Sequence, residues 1–158
     1  MAGDLRSNRN ELIRLVWDFW SAAPAIIGLS GPYPEVVIAD VDKDNNPDGE
    51  VNPGAGGNNK PFCRMRIQHT EARPTSISGR RYRQNGSVTV NLFVPGKRTD
   101  ASAKAILIGD ALSSVLRKHR GSVNLTGVTP RERPINNGFS QIDVVSDFYW
   151  DAFVKTGA

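Results

Sequence analysis

The sequence predicts an α+β fold: a single domain over residues 1–158, with an antiparallel or mixed β-sheet packed against two helices. Three patterns carry that expectation. Between Arg81 and Val94 the residues follow a period-two pattern, with Tyr82, Gly86, Val88, Val90, Leu92 and Val94 on one side and Arg83, Asn85, Ser87, Thr89 and Asn91 on the other. Period two is the mark of a half-buried strand. Leu12, Val16, Phe19 and Ala23, and later Ala101, Ala105, Ile108, Leu112 and Leu116, fall instead on single helical faces. A second alternation closes the chain, with Ile142, Val144, Phe148, Trp150, Ala152 and Val154 opposed to Asp143, Asp147, Tyr149 and Asp151.

Taken in order, the first element is a helix from about Asn8 to Ala23. Asn8 and Glu11 have the spacing of a capping box, in which each side chain satisfies the other residue's backbone N–H. Pro24 ends or kinks this helix. Trp17 and Trp20 widen its apolar face and are expected in the core, with Trp20 the alternative candidate for a subunit contact. A short strand follows over Glu35 to Ala39, then a long loop, Asp40 to Lys60, rich in Asp, Asn, Pro and Gly. It holds no run able to bury itself, and loops of that length inside compact domains are usually functional.

Phe62 to Thr70 reads as a strand with Cys63, Met65 and Ile67 inward and Arg64, Arg66 and Gln68 outward, and Arg73-Pro74 to Gly79 as a turn. Paired with the Arg81–Val94 strand, it would present arginines on the exposed side of one sheet. Pro95-Gly96 stops the long strand, and the second helix runs from about Asp100 to His119. Thr99 or Asp100 caps its start. Arg117, Lys118, His119 and Arg120 favour its negative end, and Gly121 is expected to supply a left-handed terminal residue. Asn137-Gly138 is a turn signal that joins Val128–Arg133 to Phe139–Val154 as a hairpin.

Composition narrows the function classes. A chain of 158 residues buries roughly 70% of its unfolded surface, and needs no staple. The lone Cys63 has no internal partner, which fits a reducing compartment or indifference to redox state. No signal-peptide core and no apolar run of membrane-spanning length are visible, so no membrane partner is expected. Net charge is +4, too mild to declare a nucleic-acid binder by itself. Its distribution says more: Asp40, Asp42, Asp44, Asp48 and Glu50 precede a basic cluster of Arg64, Arg66, Arg73, Arg80, Arg81 and Arg83. Separated patches of opposite sign suit docking to copies of the same chain or to a charged partner.

Motifs for chemistry are missing. Asp40-Val41-Asp42-Lys43-Asp44 starts like a calcium loop, but the sixth and twelfth positions hold Asn45 and Val51 rather than glycine and glutamate. Gly96-Lys97 lacks the remainder of a phosphate loop, and Gly54-Ala55-Gly56-Gly57 lacks the third glycine of a dinucleotide fingerprint. His69 and His119 have no metal-ligand spacing, and Cys63 lies on an inward strand face. The expectation is therefore no catalytic residue, no metal, no cofactor and no enzymatic activity. The basic cluster is either a solvated sheet face, an interface with acidic segments of a neighbour, or a contact for nucleic-acid phosphates. Only Tyr82 interleaves the Arg80–Arg83 run, which argues against base stacking.

The block Arg81-Tyr82-Arg83-Gln84-Asn85-Gly86-Ser87-Val88-Thr89-Val90-Asn91-Leu92-Phe93-Val94-Pro95-Gly96, followed by Ala101–Ala111, resembles the central block of bacteriophage tail terminator proteins. These are the tail-completion proteins of long-tailed phages. The N-terminal helix and the closing aromatic strand extend the resemblance over most of the chain. The long Asp40–Lys60 loop and the dense Arg80–Arg83 cluster depart from the family pattern. The resemblance implies a small α/β subunit of a homo-hexameric ring in the virion neck, assembled in the bacterial host cytoplasm. Such a ring caps the tail tube protein, ends its polymerisation and presents a surface to the head-completion or connector protein. Genomic DNA passes through the lumen without sequence readout. Within that frame the interface residues are expected among Asp40, Asp42, Asp44, Asp48, Arg64, Arg66, Arg80, Arg81 and Arg83. Another neck protein, for head closure or head–tail joining, is the nearest alternative, and a DNA-binding protein is the alternative from another class.

Overall fold

The computed structural model describes residues 5–28, 36–39, 60–74, 81–96, 98–136 and 138–153. Two helices and five strands follow the expected order: α1 (Leu5–Ile27), β1 (Val37–Ala39), β2 (Phe62–Pro74), β3 (Arg81–Pro95), α2 (Arg98–Lys118), β4 (Asn124–Asn136) and β5 (Phe139–Phe153). The strands make one sheet in the order β1-β2-β3-β5-β4. β1 runs parallel to β2 and every other pair is antiparallel, so the sheet is mixed. The fold is α+β.

The core lies between the helices and one face of the sheet. Cys63 and Met65 of β2, Val88 to Val94 at alternate positions of β3, and Ile142, Val144, Phe148 and Trp150 of β5 point into it. All five residues of the expected α2 stripe, Ala101, Ala105, Ile108, Leu112 and Leu116, are buried there, as are Leu12, Val16, Phe19 and Ala23 of α1. Full burial of side chains such as Leu112 or Phe148 contributes about 1.5–3 kcal/mol each before entropy is counted, and this face is the main source of stability. The Cys63 thiol is wholly buried, and burial pushes its pKa well up, which makes thiolate chemistry unfavourable.

Several local expectations are corrected. α1 does not stop at Pro24. It continues to Ile27, which is buried, and closes where the Gly28 N–H donates to the Pro24 carbonyl at 3.0 Å. Pro24 removes one hydrogen bond within the last turns, and burial of Ala23 and Ile27 offsets that loss. Gly28, at φ +70°, adopts the left-handed conformation that ends many helices. The expected capping box does not form, because α1 starts earlier and Asn8 is already inside it. Glu11 turns instead to the far end of α2. Trp20 is buried, and it is Trp17 that is exposed, at 42%.

β2 also outruns its expected end. A bulge between His69 and Ala72 absorbs one extra residue, and pairing with β3 resumes through Ala72, Arg73 and Pro74. At the other helix end, Gly121 is not left-handed. A Cβ there would lie 2.8 Å from Glu11 Oε2 and 2.9 Å from His119 Nε2, so a side chain at this position would push on the Glu11–His119 pair. Thr99 and Asp100 fall inside the first turn of α2, where the Asp100 charge suits the helix dipole.

Candidate interface on the arginine face of the sheet

The face of the sheet turned away from the helices carries the chemistry. Even positions of β2, odd positions of β3 and β5, and Thr129, Arg131 and Arg133 of β4 project there, and the bulge after His69 brings Arg73 to the same side, opposite Arg83. Seven arginines therefore share this face: Arg64, Arg66, Arg73, Arg81, Arg83, Arg131 and Arg133. Asp143, Asp147 and Asp151, all on β5, are the aspartates among them. Alternation alone predicts the common face of the β2 and β3 arginines, and the structure has it.

The expectation that these arginines all stand exposed is corrected. Arg64 is only 3% exposed. Its Nε donates to Asn91 Oδ1 at 2.8 Å, and Asn91 Nδ2 donates to Asp143 Oδ1 at 2.6 Å. Gln141 Nε2 donates to the same oxygen at 2.8 Å, and Arg133 Nε pairs with Asp143 Oδ2 at 2.9 Å. Asp143 is 6% exposed. One buried carboxylate thus accepts bonds from three side chains and ties β2, β3, β4 and β5 together. Such networks are costly when incomplete, because buried polar groups without partners keep their desolvation penalty.

At the other end of the face, Arg83 donates through Nε and Nη2 to Asp151 at 3.0 and 3.2 Å, and Arg81 Nη2 reaches Asp151 Oδ2 at 3.2 Å. The guanidinium of Arg83 also sits 4.2 Å above the Tyr149 ring. The bond from Arg83 holds the Asp151 carboxyl below the usual carboxylate range, and the same bond raises the pKa of Arg83. Arg81 and Arg83 therefore have a partner within their own chain. Asp40, Asp42, Asp44, Asp48 and Arg80 lie outside the described residues, so the expected acidic flank is not placed against this face.

Sequence reasoning missed Asn91, Asp143, Asp151, Arg131 and Arg133 as parts of the site. A signal was present: the aspartates of β5, Asp143, Asp147 and Asp151, recur every four residues and so share one face of the strand, as the arginines of β3 do. What the sequence lacks is the register that sets Asp143 against Asn91 and Asp151 against Arg83.

On the opposite side of the molecule, Glu11 of α1 accepts bonds from Ser122 N (3.2 Å), Val123 N (2.9 Å) and His119 Nε2 (3.0 Å). Burial disfavours its charge, but the bonds from His119, Val123 and Ser122 outweigh burial and hold its pKa below the ordinary value. His119, expected only as a cation at the end of α2, is thus one half of a clasp between α1 and the α2–β4 turn. The open groove beside it is lined by Ser7, Asn10, Arg14, Leu15 and Asp18. Among the described residues, no three His, Cys, Asp or Glu side chains gather as a metal site.

No family model matches the chain, and no curated protein matches it. A solved structure whose name describes no function is similar at 14% sequence identity, with a TM-score of 0.55, over 96% of this chain and 99% of that one. A likeness at that identity is a likeness of fold, and it extends over nearly the whole length of both chains.

Proposed function

We propose that this chain is the subunit of a ring that caps a phage tail tube, a tail terminator that stops tube growth and offers its other surface to the head connector. The reading rests on the resemblance of the Arg81–Gly96 block and the helix after it, and it is supported by the element order. The observation that carries it furthest is the difference between the two outer surfaces. One is a sheet face rich in arginine; the other is a helical layer where Trp17, Ile106 and Leu107 are exposed. A closed ring repeats one heterologous contact by rotation, so its subunit needs two unlike flanks on a stiff body. The buried Asp143 network stiffens the sheet across four strands.

In this reading the partners are five further copies of the chain in a hexamer, the tube protein and a head-completion protein, with genomic DNA passing through the lumen. The Asp40–Lys60 segment reaches a neighbouring subunit or ring. Arg80, Arg81 and Arg83 line a subunit contact, with Asp151 ordering the last two for it. No catalytic, metal or cofactor role is assigned. Mixing the purified protein with tail tubes tests the reading by negative-stain imaging and mass measurement. Six-fold rings seated on tube ends, with tube growth arrested, are expected. Binding to portal complexes but not to tubes would favour a head-closure protein instead, and substrate turnover would overturn the reading.

A further inference from the structure

We infer that the arginine face of the sheet binds the phosphate backbone of double-stranded nucleic acid, without reading its sequence, through Arg66, Arg73 and Arg131. Three observations lead there. First, charge on this face is unbalanced. Asp143 and Asp151 are taken up by Arg133, Arg81 and Arg83, and among the described residues only the exposed Asp147 remains as an uncommitted aspartate. Arg66, Arg73 and Arg131 make no hydrogen bond or ion pair among the described residues. Arg66 goes further: its buried Nε has no acceptor, a state that costs free energy unless something supplies one.

Second, the register sets Arg73 directly opposite Arg83. Like charges facing each other across a strand pair destabilise the sheet. Asp151 relieves Arg83 from its other side and leaves Arg73 without a counter-charge among the described residues. An external anion would remove that repulsion. Arg131 lies level with Asn91 and Arg73 level with Arg83, eight residues apart along β3, which is about 27 Å at strand spacing. No small anion spans that distance. An extended polyanion does.

Third, the exposed part of the face offers charge and little else, since Phe93 and Phe139, which share the face, are buried. The exposed large hydrophobic side chains among the described residues, Trp17, Ile106 and Leu107, are all on the helices. Specific protein partners are usually anchored by aromatic or aliphatic side chains in pockets, and this face has none exposed. Phosphate backbones need none, because their affinity comes from counterion release. Tyr149, the aromatic nearest the cluster, is already covered by Arg83. It is not free to stack an unpaired base, which favours duplex over single strand.

The inference does not depend on ring assembly. Fluorescence anisotropy of the full chain with a labelled duplex, in unrelated sequences, tests it. Three phosphate contacts predict a log–log salt slope of about −3 and a roughly 40-fold loss of affinity between about 50 and about 200 mM salt. The exposed pair Arg73→Gln/Arg131→Gln is expected to fold as the parent does, by circular dichroism, and to flatten the slope to about −1. Adding Arg66→Gln is expected to abolish binding. Arg14→Gln/Lys118→Gln, on the helical side, is expected to bind like the parent. A salt-insensitive or undetectable duplex interaction would overturn the inference. So would an equal loss in the helical-side control, or preference for an acidic peptide of residues 40–50 over the duplex. Seating on tail tubes is a separate readout, so either proposal can fail alone.

Discussion

The two faces of the sheet are made from alternate residues of the same strands, and they are held by different forces. On the helix side, Val90, Leu92, Val144 and Phe148 are excluded from water together with α1 and α2. That attraction is non-directional: any apolar side chain of about the right size contributes. On the other side, Arg64, Asn91 and Asp143 are also nearly inaccessible, yet they are held by bonds that exist at a single strand register. The first face makes a sheet fold onto helices. The second fixes which residue stands opposite which, because a slipped strand would leave buried charge without partners.

The comparison is broken most forcefully on the apolar side. Phe148 is 1% exposed, stacks on Trp150 at 5.6 Å and meets the edge of His69 at 5.5 Å. Phe148→Ala is expected to destabilise by about 4 kcal/mol, read as a lowered midpoint in urea with an unchanged slope. Gly86 gives an independent check, since a Cβ there would collide with the Phe148 ring and the Gln68 carbonyl. Gly86→Ala should therefore also destabilise, through overpacking instead of a cavity.

The polar side comes next. Asp143→Ala removes the acceptor of Asn91, Gln141 and Arg133 at once, with an expected cost of about 3 kcal/mol. The sharper test replaces the group. Arg64→Met/Asn91→Leu/Asp143→Leu removes the buried polar atoms together, and stability is expected to return to within about 1 kcal/mol of the parent. If the network specifies register, cross-strand distances in the triple variant, measured between labels on β3 and β5, should broaden even where the urea midpoint recovers. A single sharp distance would show that the apolar face sets register alone.

These faces were unequally legible in the sequence. Period two placed β3 and β5, and the helical stripes placed α1 and α2, because each pattern is local and repeats over several turns or pleats. Alternation also put the arginines of β2 and β3 on a common side. It could not say that Arg64 is buried, since that depends on Asn91 and Asp143 arriving beside it from residues 27 and 52 positions away from each other in turn. Pro24 and Gly121 misled for a related reason. Their local rules are sound, but burial of Ile27 carried the helix past the proline, and the approach of Glu11 explains the glycine. The Asn8–Glu11 spacing fits a capping box, yet Glu11 finds its donors more than a hundred residues away.

That third region, the Glu11 clasp, sits between the two faces in kind: directional like the network, half-exposed and smaller. Glu11→Gln is expected to cost about 1.5 kcal/mol at neutral pH, the range for hydrogen bonds to a charged group. The folded pKa lies below the ordinary 4.5, so the contribution is complete above that pH. It is lost as pH falls through the folded value, where the folded carboxyl finally takes up its proton. Stability curves of parent and variant should thus converge only under acid, and convergence near neutral pH would mean that the Glu11 carboxylate does not carry the clasp.

The smallest effect belongs to Asp151. It pairs with Arg83 and Arg81 at 3.0 and 3.2 Å, but both arginine side chains are more than 40% exposed. Exposed pairs contribute little, and salt screens them. The depressed pKa of Asp151 places its contribution above the ordinary carboxylate value and removes it as pH falls through the folded one. Asp151→Asn should therefore lower the melting temperature only slightly at low salt and not at all at high salt. The same change removes the aspartate counter-charge beside Arg81 and Arg83 while leaving Arg66, Arg73 and Arg131 in place. Duplex affinity should rise and the salt slope should steepen. A variant that loses affinity would mean that Asp151, only 21% exposed, orders these arginines for the duplex as well as for the proposed subunit contact.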